Sequence, residues 1–322
     1  MRDSIITAKN LTRIFHLSTG GLFRRSKRTI HAVDGIDFTV ERGELIGYLG
    51  PNGAGKSTTI KMLTGLLVPT SGELLVNGRV PWRERIDHVA GIGAVFGQRT
   101  TLWWDLPVIE SLELLKYVYR VPGAMFRQNL DEFTALLELG PFLASPVRTL
   151  SLGQRMRADI AAALLHDPPL LFLDEPTIGL DVVARERIRQ FILHINRERG
   201  TTIVLTTHDL SDVEKLCERV LIIDHGRLLF DGNLNDLKSR FGGRRELVVD
   251  LAEDYEDVSV PGAEIILRDG PRVTYAFDRD ELTASDLIHR VSGKLRIRDL
   301  EVREPDIEQT VRRIYEEKLL DS

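Results

Sequence analysis

The amino-acid sequence predicts an α/β fold with a largely parallel sheet, an inserted helical subdomain and a small C-terminal α+β domain. Short apolar runs typical of buried parallel strands alternate with helical patterns, at residues 44–47, 170–173, 202–206 and 220–224. Between residues 108 and 166, apolar side chains recur at helical spacing, which predicts the inserted helices. Beyond residue 243 the pattern changes to strand-like alternation, which indicates a second domain.

The predicted domain boundary is the stretch Gly242-Gly243-Arg244-Arg245, where two glycines interrupt the pattern. We expect a first domain over residues 1–240, with its helical subdomain at about residues 100–166, and a second over residues 244–322. The second domain is expected to contain short strands, a helix at residues 284–291 and a final amphipathic helix at residues 305–320.

Composition and charge restrict the class of protein. The 322 residues are 43% hydrophobic and 28% charged, which is typical of a globular chain. A formal net charge of -5 gives no overall attraction to nucleic acid, so no nucleic-acid partner is expected. The single cysteine, Cys217, excludes an internal disulfide and fits a reducing compartment. No apolar run is long enough to cross a bilayer, so we expect any membrane role to require a partner.

A glycine-rich turn carries the pattern of a phosphate-binding loop. It follows a strand-like run, opens a helical pattern and reads Gly50-Pro51-Asn52-Gly53-Ala54-Gly55-Lys56-Ser57-Thr58. Backbone N–H groups in such a turn point towards phosphate oxygens, and the positive end of the next helix assists them. Lys56 is expected to reach the β- and γ-phosphates, and Ser57 to offer its hydroxyl to Mg²⁺. The strand before the turn and the helix after it distinguish it from a coincidental match.

Two adjacent acids, Asp174 and Glu175, follow the apolar run at residues 170–173. Asp174 is placed to hold Mg²⁺ through its waters, and Glu175 to polarise an attacking water. An Asp-Glu pair standing alone is more often a solvated turn. The phosphate-binding pattern upstream favours the catalytic interpretation.

A second anion-binding helix start is predicted about twenty residues before the acids, at Leu150-Ser151-Leu152-Gly153-Gln154. Ser151 is a good N-cap for a helix predicted over residues 154–166, and Gly153 permits close approach of the backbone. The sequence therefore predicts two phosphate-binding surfaces on one chain.

With these motifs the chain resembles the nucleotide-binding domain of ABC ATPases, whose signature is Leu-Ser-Gly-Gly-Gln. The resemblance covers about residues 4–240. It implies a P-loop NTPase fold of the ABC cassette type, with ATP and Mg²⁺ as cofactors. It also implies a head-to-tail dimer, in which Ser151, Gly153 and Gln154 of one copy close over ATP held by the phosphate-binding turn of a second copy.

Four further residues match functional positions of that family. Gln98 matches the Q-loop glutamine, which links Mg²⁺ and the attacking water to the helical subdomain. Asp181 matches the D-loop aspartate that reaches across the dimer, and His208 the switch histidine at the γ-phosphate. Phe15 matches the A-loop aromatic that stacks on adenine; phenylalanine replaces the usual tyrosine but keeps the π face. A lone histidine after a strand is more often structural, but the order of these motifs favours function.

Two segments depart from the family pattern. Leu152 replaces the first signature glycine, and we expect the phosphate contact to persist with an altered catalytic rate. Residues 16–30 form a longer link than usual and contain Arg24-Arg25-Ser26-Lys27-Arg28. This basic run is either a solvated loop or a contact with anionic lipid headgroups, to which each basic residue near the surface contributes about 1 kcal/mol.

Residues 97–107 and 174–184 resemble the ATPases of ABC-2 type exporters, including daunorubicin-resistance-like and viologen-export-like systems. The resemblance implies a separate membrane permease, a peripheral location at the cytoplasmic face of the membrane, and export of drugs or other small or amphipathic substrates. Trp103 and Trp104 are either core residues or contacts of that permease. The C-terminal domain, which has no recognisable catalytic cluster, is expected to hold the two subunits together or to regulate their closure.

A soluble ABC ATPase with a regulatory role outside transport is the alternative function. ABC ATPases of translation normally carry two cassettes, and those of chromosome maintenance carry a long heptad coiled coil. The sequence shows one cassette, and residues 58–150 contain no heptad pattern.

Overall fold

Two sheets and a group of helices make up the first part of the chain. The computed structural model describes residues 3–19, 26–97, 99–207, 209–241, 244–278, 281–303 and 307–316. It divides into two compact units, Met1–Gly232 and Asn233–Ser322. The strands of the first unit are β1 (Ser4–Thr19), β2 (Ser26–Glu41), β3 (Leu45–Leu49), β4 (Ser71–Val76), β5 (Gly93–Phe96), β6 (Leu170–Asp174), β7 (Thr202–Thr206), β8 (Arg219–Asp224) and β9 (Arg227–Asn233). Its helices are α1 (Lys56–Leu63), α2 (Arg85–Ala90), α3 (Val108–Val118), α4 (Gly123–Leu136), α5 (Leu152–Leu164), α6 (Val182–Arg199) and α7 (Leu210–Leu216).

The larger sheet has the strand order β5-β6-β7-β3-β8-β9, and its first five strands pair in parallel. Every residue of β3 and β7 is buried. Strands covered on both faces read as continuous apolar runs, so the four strands predicted from such runs are confirmed as β3, β6, β7 and β8. Because the strands are parallel, the carboxyl ends of β3, β6 and β7 lie at one edge of the sheet.

A separate antiparallel sheet has the order β2-β1-β4. β1 and β2 pair over their whole lengths, from Ser4 opposite Glu41 to Thr19 opposite Ser26. This corrects part of the link predicted at residues 16–30, because residues 16–19 and 26–30 are strand. Arg24 and Arg25 lie outside the described residues, so the proposed lipid contact stays a prediction.

The region between β5 and β6 contains α3, α4 and α5, which confirms the predicted helices between residues 108 and 166. In α3 and α4 the buried side chains lie on one face, among them Leu112 and Phe133, whereas residues 158–162 of α5 are all buried. α5 begins at Leu152 rather than at residue 154, because Ser151 caps it directly. No helix within the described ranges is both long and apolar enough to cross a membrane.

The second unit is a four-stranded antiparallel sheet with helices. Its elements are α8 (Leu234–Phe241), β10 (Arg245–Leu251), β11 (Glu264–Asp269), β12 (Arg272–Phe277), α9 (Ala284–Lys294), β13 (Ile297–Arg303) and α10 (Ile307–Glu316), with the strand order β11-β12-β10-β13. Its core includes Val249, Tyr275 and Leu287. The sequence placed α8 in the first domain, but α8 packs against α10, so the division falls after Gly232.

Candidate functional site

The glycine-rich turn connects β3 to α1 and fits tightly against its surroundings. A Cβ atom on Gly50 would lie 2.4 Å from the carbonyl oxygen of Ile223. Gly55 has a φ of +113°, and its Cβ would lie 2.4 Å from the carbonyl oxygen of Ala32. A side chain is therefore excluded at both positions, because the turn packs directly against the backbone of β8 and β2.

The Lys56 ammonium lies inside this turn. Its Nζ donates to the carbonyl oxygens of Gly50 at 2.5 Å and Pro51 at 3.1 Å. Partial burial lowers the pKa of Lys56, and the negative charges of Glu175 and Asp174 oppose that shift. The turn thus brings a cation close to the two acids that the sequence singled out.

Hydrogen bonds connect the carboxyl ends of β5, β6 and β7 around these acids. The Thr206 hydroxyl at the end of β7 donates to Asp174 at the end of β6. Glu175 has a φ of +56°, in the left-handed region that non-glycine residues seldom adopt, and its N–H donates to the Thr206 carbonyl at 2.9 Å. The N–H of Gly97 donates to the Asp174 carbonyl at 2.7 Å. The acids are therefore held by three strand ends beside the phosphate-binding turn.

Gln98 and His208, predicted to complete the catalytic site, lie outside the described residues. Asp209, which follows His208, has hydrogen-bond and ion-pair partners. Asp209 caps α7 by accepting from the N–H of Ser211 at 3.0 Å and pairs with Arg185 on α6.

Ser151 and Gln154 form a reciprocal cap at the start of α5. The Gln154 N–H donates to the Ser151 hydroxyl at 3.2 Å, and the Ser151 N–H donates to the Gln154 side-chain oxygen at 2.9 Å. A Cβ on Gly153 would lie 3.4 Å from the Cβ of Ala184, which is ordinary contact. Packing within this chain therefore tolerates a methyl group at position 153.

The signature segment packs against the segment that contains Asp181. Gly179 has a φ of +70°, and its Cβ would lie 3.1 Å from Cδ2 of Leu152. Asp181 is exposed and caps α6, because its carboxylate accepts from the Ala184 N–H at 2.8 Å. Leu152, the departure from the family signature, thus contacts this segment of its own chain.

Phe15 lies on β1, opposite Ile30 of β2. The Arg13 guanidinium lies over its ring at 4.6 Å from the centroid and donates to the Val68 carbonyl at 2.8 Å. Because β2 also supplies the Ala32 carbonyl that contacts Gly55, this part of the hairpin lies beside the phosphate-binding turn.

Sequence comparisons identify the family. The family model described as ABC transporter matches residues 33–178. The daunorubicin resistance ATP-binding protein DrrA3 of Streptomyces coeruleorubidus is 35% identical over 267 residues, which are 82% of this chain and 82% of that protein. The chain belongs to the ATP-binding cassette ATPases of ABC transporters.

This ABC ATPase is also similar to a longer relative and to a solved cassette. The probable multidrug ABC transporter ATP-binding protein YbhF of Escherichia coli (strain K12) is 37% identical over 240 residues, 74% of this chain; the match spans 39% of YbhF. The dimeric, post-hydrolysis structure of the ATP-binding cassette MJ0796 with ADP and Pi aligns with a TM-score of 0.62 at 29% identity, over 71% of this chain and 98% of that chain. The predicted ABC cassette fold is confirmed.

Three residues of this ABC ATPase were not singled out from its sequence. Thr206 holds Asp174, Arg13 stacks on Phe15, and Asp159 is a buried acid of α5. Asp159 carried a visible signal, since it stands between the apolar residues Ala158 and Ile160 in a largely apolar run of sequence. The contact of Thr206 with Asp174 depends on which strands become neighbours in the sheet. The contact of Arg13 with Phe15 depends on how the Arg13 side chain folds over its own strand.

Proposed function

We propose that this ABC ATPase is the ATP-hydrolysing subunit of an ABC-2 type exporter. Two copies bind two MgATP molecules between them, and the closure of this dimer drives a separate membrane permease. The observation that carries the proposal is the convergence of Lys56, Asp174 and Glu175 at one edge of the sheet. The same unit presents a second, capped helix start at Ser151.

The phosphate-binding turn holds the triphosphate in this proposal through its backbone N–H groups and the Lys56 ammonium. The residues involved are Gly50, Asn52, Gly53, Ala54, Gly55, Lys56, Ser57 and Thr58. Phe15 stacks on the adenine with one face while Arg13 covers the other, which keeps the ring in place.

Ser57, Asp174 and Gln98 are the residues proposed to hold Mg²⁺. The Ser57 side chain is exposed at the start of α1, and Asp174 lies near Lys56, so the oxygen donors that this hard cation prefers are at the phosphate-binding turn. When bound, Mg²⁺ neutralises charge on the phosphates.

Glu175 is the proposed general base. It accepts a proton from the water whose oxygen attacks the γ-phosphorus, while the bond to the bridging oxygen of ADP breaks. Its left-handed backbone turns the chain at the end of β6, beside Lys56. Gln98 is proposed to orient the water, and His208 to contact the γ-phosphate.

The start of α5 is the proposed surface that contacts the ATP of the second copy. Ser151 is exposed, and the positive end of α5 favours an anion there. Glycine at position 153 is not demanded by the chain's own packing, which fits a role in close approach by a phosphate. Gln154 shapes the cap, and the exposed Asp181 reaches towards the second copy.

Two observations support an exporter with a separate permease. DrrA3 is named for daunorubicin resistance and YbhF as a probable multidrug transporter protein, which favours export of small amphipathic compounds. Trp103 and Trp104 are 42% and 48% exposed, which favours an interface over a core role. A permease bound there would hold the subunit at the cytoplasmic face of the membrane.

The deciding experiment compares Glu175→Gln with the wild-type chain. Removing the base should lower ATP turnover at least about 100-fold and accumulate an ATP-bound dimer in size-exclusion chromatography. Glu73→Gln, which changes an exposed carboxylate on β4, serves as the matched control and should keep full turnover. Unchanged turnover in Glu175→Gln would remove the proposal. Purification from membranes without any associated permease would favour the soluble, regulatory alternative.

A further inference from the structure

A buried carboxylate connects α5 to the segment that follows Gln98. Asp159 lies two turns into α5 and is 5% exposed. Its Oδ1 accepts from the Thr100 hydroxyl at 2.8 Å, from the Thr101 N–H at 2.9 Å and from the Thr101 hydroxyl at 3.3 Å. Three donors from two consecutive residues therefore converge on one oxygen.

Burial of the Asp159 carboxylate at this position costs free energy. Its helix neighbours Ala158, Ile160 and Ala161 are buried and apolar, so packing alone would be satisfied by an apolar residue. Burial raises the pKa of Asp159, and the hydrogen bonds from Thr101 and Thr100 oppose that shift. A buried charge needs such donors, and here all three come from one short segment.

The same segment is fixed along its length. The Leu102 N–H donates to the Thr100 hydroxyl at 3.1 Å, which extends the chain of hydrogen bonds from Asp159. The Trp103 N–H donates to the Ser111 hydroxyl of α3 at 3.2 Å, and the Arg148 N–H donates to the Trp104 carbonyl at 2.9 Å. Residues 100–104 are therefore attached to α3, to α5 and to the residues that lead into Ser151.

We infer that Asp159 is a positioning residue for ATP hydrolysis, which locks the segment after Gln98 to the helix that begins at Ser151. The inference rests on the proposed function, in which Gln98 serves the ATP of its own chain and Ser151 the ATP of the second copy. Because Asp159 joins this segment to α5, a displacement of α5 during dimer closure also displaces residues 100–104, which follow Gln98. Closure at one ATP is thereby transmitted to the catalytic groups at the other.

The test measures kcat and KM for ATP in the full-length chain. Asp159→Leu keeps the number of side-chain non-hydrogen atoms and removes the acceptor, so kcat should fall on the order of tenfold through misplaced catalytic groups. KM should stay within about twofold, because the phosphate-binding turn is unchanged. Asp159→Asn keeps an oxygen that accepts the same bonds and should restore kcat to within about threefold of wild type.

Asn129→Leu is the matched control for a purely structural role. Asn129 is also buried in the helical subdomain, at 4% exposure, and donates to the Leu165 carbonyl at 2.9 Å. Its side-chain oxygen accepts from Arg199 at 2.9 Å, so its hydrogen bonds go to Leu165 and Arg199 and not to residues 100–104. Its replacement should therefore lower the melting temperature while kcat per folded molecule stays at the wild-type value. If Asp159→Leu does not fold, Thr100→Val combined with Thr101→Val removes two donors and should lower kcat in the same direction.

A folded Asp159→Leu chain with wild-type kcat would overturn the inference, as would an equal loss of kcat in Asn129→Leu. Failure of the proposed function looks different. If the wild type turns over ATP and Glu175→Gln does not, the proposed function stands and only the role of Asp159 is decided by these variants. If the wild type turns over no ATP, the proposed function fails and the role of Asp159 fails with it.

Discussion

Arg189 and Asp212 form an ion pair that is almost completely removed from water. Their side chains are 7% and 0% exposed, and Arg189 Nε donates to Asp212 Oδ1 at 2.6 Å. The Thr177 hydroxyl also donates to Asp212, and Arg189 donates to the Ser211 hydroxyl at 2.9 Å. The pair thereby joins the segment after Glu175 to the start of α7, which follows His208.

Breaking this pair should destabilise the first unit strongly. Asp212→Ala leaves the buried Arg189 charge with only the half-exposed Glu186 carboxylate, at 3.5 Å, as a counter-ion, so the free energy of unfolding should fall by about 3–5 kcal/mol. Urea denaturation followed by circular dichroism measures the change. The exposed pair of Asp254 and Arg268 provides the control, because Asp254→Ala should cost less than about 1 kcal/mol. A loss below that value for Asp212→Ala would contradict the expectation.

At the scale of elements, the strands that are buried on both faces of the sheet were predicted most accurately from the sequence. The continuous apolar runs of β3, β6 and β7 identified parallel strands, and parallel strands bring their carboxyl ends to one edge. The meeting of Lys56 with Asp174 and Glu175 was therefore predictable from the order of motifs alone.

Elements whose first and last residues depend on contacts with other parts of the chain were predicted less accurately. Residues 16–30 read as a charged link, yet pairing of β1 with β2 makes its two ends strand. The start of α5 is decided by the cap at Ser151, two residues before the predicted start. The three donors on Asp159 meet only after the segment at residues 100–101 folds back on α5, so no local pattern contains that contact.

The cap of α5 allows its structural and proposed functional roles to be separated. Ser151→Ala removes the hydroxyl that accepts from Gln154 and should cost about 1 kcal/mol of stability. Ser151→Asp keeps a good cap and suits the positive helix end, so stability should stay at the wild-type level. Its carboxylate would repel the γ-phosphate of the second copy, so ATP-driven dimerisation and turnover should fall further than in Ser151→Ala.

Thermal unfolding and ATPase assays on both variants measure this difference. Dimerisation is best followed in the Glu175→Gln background, where turnover does not deplete ATP. Full turnover and dimerisation in Ser151→Asp would contradict a phosphate contact at this helix start.

At the scale of the whole molecule, each unit carries a core of its own. The first is centred on the two sheets and includes Ile46, Phe172 and Val204. The second is formed by its antiparallel sheet and α9, and includes Val249 and Tyr275. All residues proposed to act on ATP belong to the first unit, so we expect nucleotide binding not to require the second unit.

Two truncated chains distinguish the structural boundary from the one predicted by the sequence. A chain of residues 1–233 keeps β9 complete and removes the second unit beyond Asn233, so it should remain monodisperse and bind ATP as tightly as the full chain. A chain of residues 1–243 keeps α8 without α10, which exposes Leu234 and Leu237, and should aggregate more readily. Light scattering and equilibrium ATP binding measure both properties; a monodisperse 1–243 chain beside an aggregating 1–233 chain would favour the boundary after residue 240.

In the Glu175→Gln background, a 1–233 chain that dimerises with ATP more weakly than the full chain would assign the second unit to holding the two copies together, because ATP contacts are the same in both chains.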